Sequence, residues 1–260
     1  RCRTANRPSL KPCAKAPGHR REEISMNQGR LSVGIIGAGP VGTVLGQALA
    51  AAGHFIVGIA TTDEKNIERA ETLLPDVPVK TLPAILEEAD LVLLAIPADQ
   101  LAPTVNGIAQ NSMWRSGQLV AHTAGEFGYN ILGPATAQGV IPLAIHPAMT
   151  FTGTSIDLSR IRESYFAVAA PVVALPIAQA LVIEMGAEPL VISEDNRQKY
   201  FEAVSVANQF SAMVVNQAIG LLEEIGVEDA RGVIAPTIRS AVEQALAKGH
   251  QPLDPDELLS

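Results

Sequence analysis

A short apolar segment followed at once by three spaced glycines constrains the fold of this chain more than any other feature. The segment spans residues 31–36, and the glycines follow it as Gly37-x-Gly39-x-x-Gly42. Residues 43–52 are rich in Ala and Leu, a composition that favours a helix. A strand, a glycine-rich turn and a helix in this order are typical of the first unit of an α/β fold that binds a dinucleotide.

The glycine spacing has a chemical meaning when a helix begins directly after it. The first glycine allows a tight turn, the second lets the backbone approach a pyrophosphate, and the third lets helix and strand pack closely. The N–H groups at the start of the helix then face the phosphates. We therefore expect a dinucleotide cofactor here, with a glycine turn that binds no ligand as the alternative. The predicted cofactor contacts in this loop are Gly37, Ala38, Gly39, Pro40, Val41 and Gly42.

Further apolar segments of strand length alternate with helical segments up to residue 193. Residues 90–96 are apolar on both faces, as a central strand of a parallel sheet requires. Strands that alternate with helices indicate a parallel, doubly wound sheet. The predicted fold class is α/β: a Rossmann-type doubly wound, mainly parallel sheet followed by a smaller α-helical C-terminal domain. The predicted strands are residues 31–36, 55–60, 77–80, 90–96, 118–121, 140–145, 165–170 and 189–192.

The sequence pattern changes at Ser193, which can cap a helix with Glu194 and Asp195 in its first turn. Apolar residues then recur at spacings of three, four and seven, the pattern of a long amphipathic helix. A second helix is expected to run to about residue 248, interrupted or started anew at Pro236. Two helices enclose little core, so we expect their apolar faces to pack on the sheet or to join two copies as a homodimer. The apolar positions are Tyr200, Val204, Ala207, Val214, Ala218, Leu221 and Ile225, with Gly226 as the expected stop.

Residues 1–30 differ in composition from the rest of the chain. They contain eight Lys or Arg, two Glu and both cysteines, a net charge of +6. Because the whole chain carries −8, residues 31–260 carry −14. We interpret residues 1–30 as a disordered or mis-assigned N-terminal extension, with an organelle transit peptide as the alternative. The predicted domains are therefore this extension at 1–30, an NAD(P)-binding sheet domain at 31–193 and a helical domain at 194–260.

Composition excludes several classes of function. An acidic body disfavours DNA or RNA as a partner, and no segment approaches the roughly 18 apolar residues of a membrane span. Residues 31–260 contain no cysteine, which removes thiol nucleophiles and disulfides and agrees with a cytoplasmic location. Two histidines make no zinc site, so we expect no metal.

The end of the second predicted strand bears on the choice of cofactor. An Asp or Glu at that point binds the ribose 2′-hydroxyl of NAD. Here Thr61 and Thr62 follow the strand, and Asp63 comes late for that role. Thr61, Thr62 and Lys65 can instead surround a 2′-phosphate, which favours NADP, with NAD as the alternative cofactor. The alternative for these three residues is a solvated loop that contacts no cofactor.

Two segments that begin with a histidine, at His122 and His146, each follow a predicted strand. Ligands of open α/β sheets bind beyond the carboxyl ends of strands, so both histidines should lie on the cofactor side. A polar residue that caps strand backbone is the alternative for each. His146 is the expected general acid, and a rate that depends on it should change between roughly pH 5.5 and 7.5. Thr123, Gly125 and Thr150 are the expected substrate contacts, and Pro97 and Ala98 should border the cofactor after the central strand.

Four runs of this sequence together resemble a bacterial family. They are VGIIGAGPVGTVLGQAL, DLVLLAIPADQL, HTAGEFGYNILGP and IPLAIHPAMTFTG. The family consists of a Rossmann-like domain followed by a helical part known as domain of unknown function 2520. It is similar to pyrroline-5-carboxylate reductases and the 6-phosphogluconate dehydrogenase superfamily. The resemblance implies nucleotide binding, reductase or dehydrogenase chemistry and a dimer formed by the helical part, and it implies no particular substrate.

The chain departs from these relatives at several positions. The family tends to have Ser at the position of Ala124, and His at the position of Phe201, directly after Tyr200. Asn208 matches an Asn of the long helix, where we expect a catalytic role, with a packing amide as the alternative. Hydroxyacid dehydrogenases of the superfamily place a Lys four residues before this Asn, but this chain has Val204 there. The missing Lys argues against β-hydroxyacid oxidation.

The sequence thus predicts an NAD(P)-dependent oxidoreductase that acts on a small metabolite, with an anionic one among the candidates. The cofactor would carry the hydride chemistry while the protein orients the substrate. A non-catalytic dinucleotide-binding protein that senses its cofactor is the alternative, and Ala124, Phe201 and the missing Lys favour it. The catalytic candidates are His146, His122 and Asn208.

Overall fold

The computed structural model describes residues 29–250. Most of the predicted N-terminal extension, with both cysteines, and residues 251–260 lie outside the described residues. Within the described part, seven strands form one sheet in the order β2-β1-β3-β4-β5-β6-β7. The strands are β1 (Ser32–Ile36), β2 (Phe55–Ala60), β3 (Leu91–Leu94), β4 (Leu119–His122), β5 (Ile141–Pro147), β6 (Tyr165–Ala169) and β7 (Glu188–Val191).

Helices pack on both faces of this sheet. Neighbouring strands run parallel except for β5 and β6, which are antiparallel. The predicted α/β class, with a mainly parallel sheet followed by helices, is confirmed. The helices are α1 (Pro40–Ala51), α2 (Glu64–Leu73), α3 (Leu82–Glu88), α4 (Ala98–Gln110), α5 (Gly133–Thr136), α6 (Ile156–Ile161), α7 (Leu175–Glu184), α8 (Arg197–Glu224) and α9 (Ala230–Lys248).

The hydrophobic core has two layers, one on each face of the sheet. Along β3, Leu91 and Leu93 belong to the layer that contains α1, α2 and α7. Val92 and Leu94 belong to the layer that contains α3 and α4. All four side chains are buried, which explains why this strand is apolar at every position.

The order of the strands reverses at β1, because β2 lies on one side of it and β3 on the other. In an open parallel sheet, ligands bind outside the carboxyl ends of the strands at such a reversal. The glycine loop follows β1, and the start of α4 follows β3. The topology therefore places both predicted cofactor segments at the preferred ligand position of the sheet.

Two local predictions within the sheet domain differ from the structure. Residues 77–80 form no strand of the sheet, since Val79 makes only an isolated bridge to Ile59. Helix α4 has no counterpart among the predicted elements, and Pro103 lies inside it. A proline inside a helix removes one backbone hydrogen bond, and burial of Leu101 and Val105 compensates for that loss.

The predicted helix start at Ser193 is right in position, because Ser193 is the N-cap residue of a helical turn that leads into α8, but its side chain makes no capping bond. A 3-10 turn spans Glu194–Asn196, and α8 begins only at Arg197. The Glu194 carboxylate, in the first turn, accepts a hydrogen bond from the Tyr129 N–H group, a contact between residues far apart in sequence.

The predicted break at Pro236 was wrong, because this proline lies inside α9. The helix starts after Asp229, whose side chain accepts a hydrogen bond from the Gly232 N–H group. Gly226 follows the end of α8 with a φ of +83°, as the predicted stop requires. None of the described helices has the length and hydropathy that a membrane span needs.

Candidate active site

The glycine loop between β1 and α1 has the geometry that a bound pyrophosphate requires. Gly37 has a φ of +103°, and a Cβ atom there would stand 2.3 Å from the Ala95 carbonyl oxygen. A Cβ atom on Gly42 would stand 2.0 Å from the Gly37 carbonyl oxygen, so close packing requires both glycines. In contrast, nothing lies within 4 Å of a Cβ atom built on Gly39. The loop is therefore packed tightly on its inner side and open at Gly39.

The open side of the loop is also the start of helix α1. Gly39 is the N-cap residue, and none of the described side chains caps the helix. The N–H groups of Val41 and Gly42 thus keep hydrogen-bonding capacity at the positive end of a 12-residue helix. Pro97 is the N-cap residue of α4 and Ala98 its first residue, two and three residues beyond Ala95, which packs on the glycine loop. These residues fit a dinucleotide phosphate group.

The carboxylate of Asp63 is engaged in capping helix α2. Its two oxygens accept hydrogen bonds from the Lys65 N–H group at 3.0 Å and from Asn66 Nδ2 at 3.2 Å. The Asp63 N–H group lies 3.4 Å from the Thr61 hydroxyl oxygen. Thr61 and Thr62 therefore lie between the end of β2 and helix α2, and the Asp63 carboxylate faces that helix.

A cation that the sequence did not single out, Arg69, lies beside the start of α1. A Cβ atom on Gly153 would stand 2.9 Å from Arg69 Nε and 3.2 Å from Pro40 Cβ. The Arg69 guanidinium also donates a hydrogen bond to the Asn66 side chain at 2.5 Å. One face of α2 thus meets the glycine loop and the segment that follows β5.

The segment after β5 is held by a buried carboxylate, Asp157. This side chain accepts hydrogen bonds from the N–H groups of Thr152 and Gly153, each at 2.8 Å, and from the Thr152 hydroxyl. Burial alone would raise the pKa of Asp157, but these hydrogen bonds outweigh it and hold the pKa below its ordinary value. The segment therefore has a defined path from His146 past Thr150 to the start of α1.

His146 lies near the end of β5, among aromatic rings from α8. Its Nδ1 atom is 2.8 Å from the Tyr200 hydroxyl oxygen, and the two rings meet edge to face at 5.6 Å. The Phe201 ring centroid is 6.5 Å away. Burial, followed by the charge of Arg197, lowers the pKa of His146 to about 4. The imidazole is therefore neutral at pH 7.

His122 is fully buried at the end of β4, and its side chain forms a hydrogen bond with the turn that follows this strand. Its Nε2 atom is 2.9 Å from the Gly128 carbonyl oxygen, which can only accept a hydrogen bond, so Nε2 carries the proton. Burial lowers the pKa of His122 to about 4, which leaves the ring neutral. Its Nδ1 atom is buried and has no hydrogen-bond partner among the described residues.

A cavity of about 530 Å³ lies between the segment after β5 and helix α8. Three of the predicted site residues line it: His146, Thr150 and Asn208. Gly125 does not line the cavity but lies next to the His146 ring. His122 and Thr123 do not line it. No charged side chain of the described residues lines it. The lining residues are His146, Pro147, Ala148, Met149, Thr150, Phe201, Val204, Ser205, Ala207, Asn208 and Gln209.

Arg197, the first residue of α8, is a central residue that sequence reasoning missed. It is 2% exposed, and its Nε atom donates to the Phe127 carbonyl oxygen at 3.0 Å. Its guanidinium carbon lies 5.6 Å from the centroid of the Tyr200 ring. The signal was present in the sequence: Arg197 precedes Tyr200 by three residues and Val204 by seven, so it shares the apolar face of the helix.

Two sequence families match parts of the chain. The family described as "Rossmann-like domain" matches residues 17–147, and the "Domain of unknown function (DUF2520)" matches residues 164–253. No curated protein sequence matches the chain.

Solved structures of oxidoreductases share the fold at low sequence identity. A Bacteroides fragilis protein classed as an NADP oxidoreductase is 20% identical, with a TM-score of 0.67 over 83% of this chain and 80% of that one. The 1-pyrroline-5-carboxylate reductase of Streptococcus pyogenes is 15% identical, with a TM-score of 0.63 over 88% and 84%. A semialdehyde dehydrogenase NAD-binding protein from Cupriavidus necator, in complex with calcium and NAD, is 15% identical, with a TM-score of 0.61 over 87% of both chains.

Proposed function

Because this chain belongs to the Rossmann-like domain family and continues into a DUF2520 domain, we propose that it is an NAD(P)-dependent oxidoreductase acting on a small metabolite. One observation carries the proposal. The segment after β5 lines the His146 cavity at Thr150 and reaches Pro40, at the start of α1, with Gly153. A single short segment thus borders both the phosphate-binding loop and the cavity, as hydride transfer between a cofactor and a substrate requires.

In the proposed enzyme, the glycine loop binds the cofactor and the cavity binds the substrate. The N–H groups of Val41 and Gly42 bind the pyrophosphate, and the open side of Gly39 admits it. A bound nicotinamide supplies or accepts the hydride. Neutral His146 and Asn208 orient the substrate through hydrogen bonds.

We propose NADP rather than NAD as the cofactor. Proteins that select NAD bind its ribose 2′-hydroxyl with a free carboxylate after the second strand. In this chain the Asp63 carboxylate is engaged in capping α2. The hydroxyls of Thr61 and Thr62, with the cations Lys65 and Arg69, suit a 2′-phosphate. The expected result is a dissociation constant at least tenfold lower for NADPH than for NADH in a fluorescence titration. Equal affinity for both would contradict this choice.

The cavity favours a substrate that is recognised through neutral hydrogen bonds. Its polar groups are uncharged, so a carboxylate of an anionic substrate would rely on Ser205, Asn208 and Gln209 as donors. The lack of a charged acid or base among the described lining residues also supports the second candidate function, a non-catalytic protein that senses its dinucleotide. Turnover separates the two candidates, because only the enzyme consumes NADPH.

The decisive experiment is a screen of imines, keto acids and hydroxy acids with both cofactors, reduced and oxidised, followed at 340 nm. His146→Gln should abolish turnover while the cofactor dissociation constant stays within a few fold. His250→Gln, at an exposed position, is the matched control. If the wild-type chain binds NADPH but turns over none of these classes, the sensing function is supported. If it binds neither cofactor, both functions are wrong.

We also propose a homodimer through α8 and α9, in the cytoplasm. The two helices pack on each other but leave many large apolar side chains exposed, an arrangement that a second copy would bury. Val214→Asp should give a monomer by light scattering, whereas Val172→Asp, at a valine 89% exposed outside these helices, should leave the dimer intact. The exposed side chains are Val206, Phe210, Met213, Val214, Leu221, Ile225, Val233, Val242 and Leu246.

A further inference from the structure

We infer that Tyr200 and Arg197 are positioning residues that hold His146 in a single tautomer, with the proton on Nε2, so that His146 acts as a neutral hydrogen-bond donor. The chemical use of that donor rests on the proposed function. The tautomer itself is a property of the folded chain and can be measured without any turnover.

The hydrogen bond between Tyr200 and His146 determines the tautomer. The Tyr200 hydroxyl lies 2.8 Å from His146 Nδ1, and this is its sole hydrogen bond to the described residues. Burial raises the pKa of Tyr200, with Arg197 opposing that shift, so the phenol keeps its proton. None of the described residues offers this hydroxyl another acceptor, so we infer that the phenol donates to Nδ1, which must then be unprotonated. In a neutral imidazole the proton then resides on Nε2.

The Nε2 atom points toward Gly125, at the start of the turn after β4. A Cβ atom on Gly125 would stand 2.8 Å from His146 Nε2 and 2.7 Å from Phe201 Cδ2. The absence of a side chain at Gly125 therefore leaves space directly beside the Nε2–H group. A polar atom of a substrate, such as a carbonyl oxygen or an imine nitrogen, can accept that hydrogen bond.

Arg197 fixes the surroundings of this pair through three elements. Its Nε atom binds the Phe127 carbonyl oxygen, in the turn that contains Gly125. Its Nη2 atom lies 3.5 Å from the carbonyl oxygen of Ala167, the residue paired with His146 across β5 and β6. Its guanidinium also lies over the Tyr200 ring. The buried Arg197 side chain thus contacts the turn, the neighbouring strand and the tyrosine.

The charges around His146 agree with a neutral donor. The titratable or charged groups that face it are Arg197 and Tyr200 from α8 and His122 from β4. Arg197 is a cation, His122 and Tyr200 are neutral, and no described carboxylate faces the imidazole to stabilise a second proton. A neutral imidazole can polarise a carbonyl or imine by donating a hydrogen bond without giving up its proton.

The test is a long-range ¹⁵N–¹H correlation spectrum of the full chain labelled with ¹⁵N-histidine, at pH 7. The signals of His146 are assigned by their loss in His146→Gln. We expect a protonated Nε2 and an unprotonated Nδ1 for His146 in the wild type. In Tyr200→Phe, we expect shifts averaged between the two tautomers, because the ring loses the partner that selects one of them.

Tyr165→Phe is the matched control, because Tyr165 is 55% exposed on β6, and it should leave the His146 signals unchanged. A wild-type spectrum with the proton on Nδ1, or a Tyr200→Phe spectrum identical to the wild type, would overturn the inference. Circular dichroism verifies that each variant is folded.

If the wild-type chain turns over a substrate, steady-state kinetics give a second test of the positioning role of Tyr200. Tyr200→Phe should lower kcat about tenfold, the effect of one neutral hydrogen bond, with the KM for NADPH within twofold of wild type. Equal loss of cofactor affinity and kcat would indicate general damage to the site and would contradict a positioning role. If the wild type has no turnover, the proposed enzyme function is wrong, while the ¹⁵N spectra still decide the tautomer.

Discussion

Gly125 and His146 lie so close that a methyl group on Gly125 would stand 2.8 Å from the His146 Nε2 atom and 2.9 Å from its Cδ2 atom. The two residues come from separate strand ends, β4 and β5, and meet because those strands are neighbours in the sheet. The imidazole is thus confined between this glycine and the aromatic rings of Tyr200 and Phe201.

Gly125→Ala should therefore displace the imidazole and reduce turnover by at least tenfold. Gly133→Ala, where nothing lies within 4 Å of the added Cβ, is the control and should leave kcat unchanged. The measurement is kcat at saturating NADPH, with NADPH affinity determined separately and expected to be within a few fold. Full activity of Gly125→Ala would show that the site tolerates a shifted His146.

Gly39→Asp should prevent cofactor binding without unfolding the chain. Nothing lies within 4 Å of a Cβ atom at this position, so the substitution fits, but it places a negative charge where the pyrophosphate binds. NADPH affinity should fall more than tenfold while the melting temperature changes little. Gly107→Asp, also in open space, is the control on α4 and should bind NADPH normally. Normal binding by Gly39→Asp would mean that the phosphate site lies elsewhere.

Stability should fall as the pH is lowered from about 6.5 to about 4. Burial lowers the pKa values of both His122 and His146 to about 4, below the value of about 6.5 in the unfolded chain. The unfolded chain therefore binds more protons over this range, and each acidic step favours it. Above about pH 6.5 these histidines are neutral in both the folded and the unfolded chain, so their protonation no longer lowers the stability.

Urea unfolding at several pH values measures this dependence. For nearly fully buried His122, the shift corresponds to about 3 kcal/mol across the window. His146→Gln should flatten part of the slope, and His250→Gln should not. A His146-dependent rate should likewise be constant from pH 7.5 to 5.5 and fall only below about pH 5. This replaces the range of roughly pH 5.5–7.5 that an unperturbed histidine would give.

Arg197→Met should lower the free energy of unfolding by about 1–3 kcal/mol. The methionine keeps a side chain of similar length but leaves the carbonyl oxygen of Phe127 without its donor. Arg239→Met, at an exposed position of α9, is the control and should change stability by less than about 0.5 kcal/mol. A loss below that limit for Arg197→Met would show that the guanidinium does not tie α8 to the sheet.

Much of the fold follows from patterns that are local in sequence. Apolar runs, the glycine spacing of the loop and the heptad-like spacing of α8 predicted the sheet class and the long helix, because they report residue periodicity directly. The elements that were missed have no such pattern. Helix α4 contains Pro103, and no local pattern indicates the bond between Glu194 and Tyr129, which are 65 residues apart.

The candidate site divides in the same way. The sequence by itself determined the glycine loop and the two histidine segments at strand ends, since each is a short motif next to a recognisable element. Only the tertiary structure decided that His146 meets Tyr200, 54 residues later, and that His122 does not line the cavity. The pKa values of the histidines also depend on burial, a property of the packed chain. Long-range packing sets these features, and no local spacing encodes them.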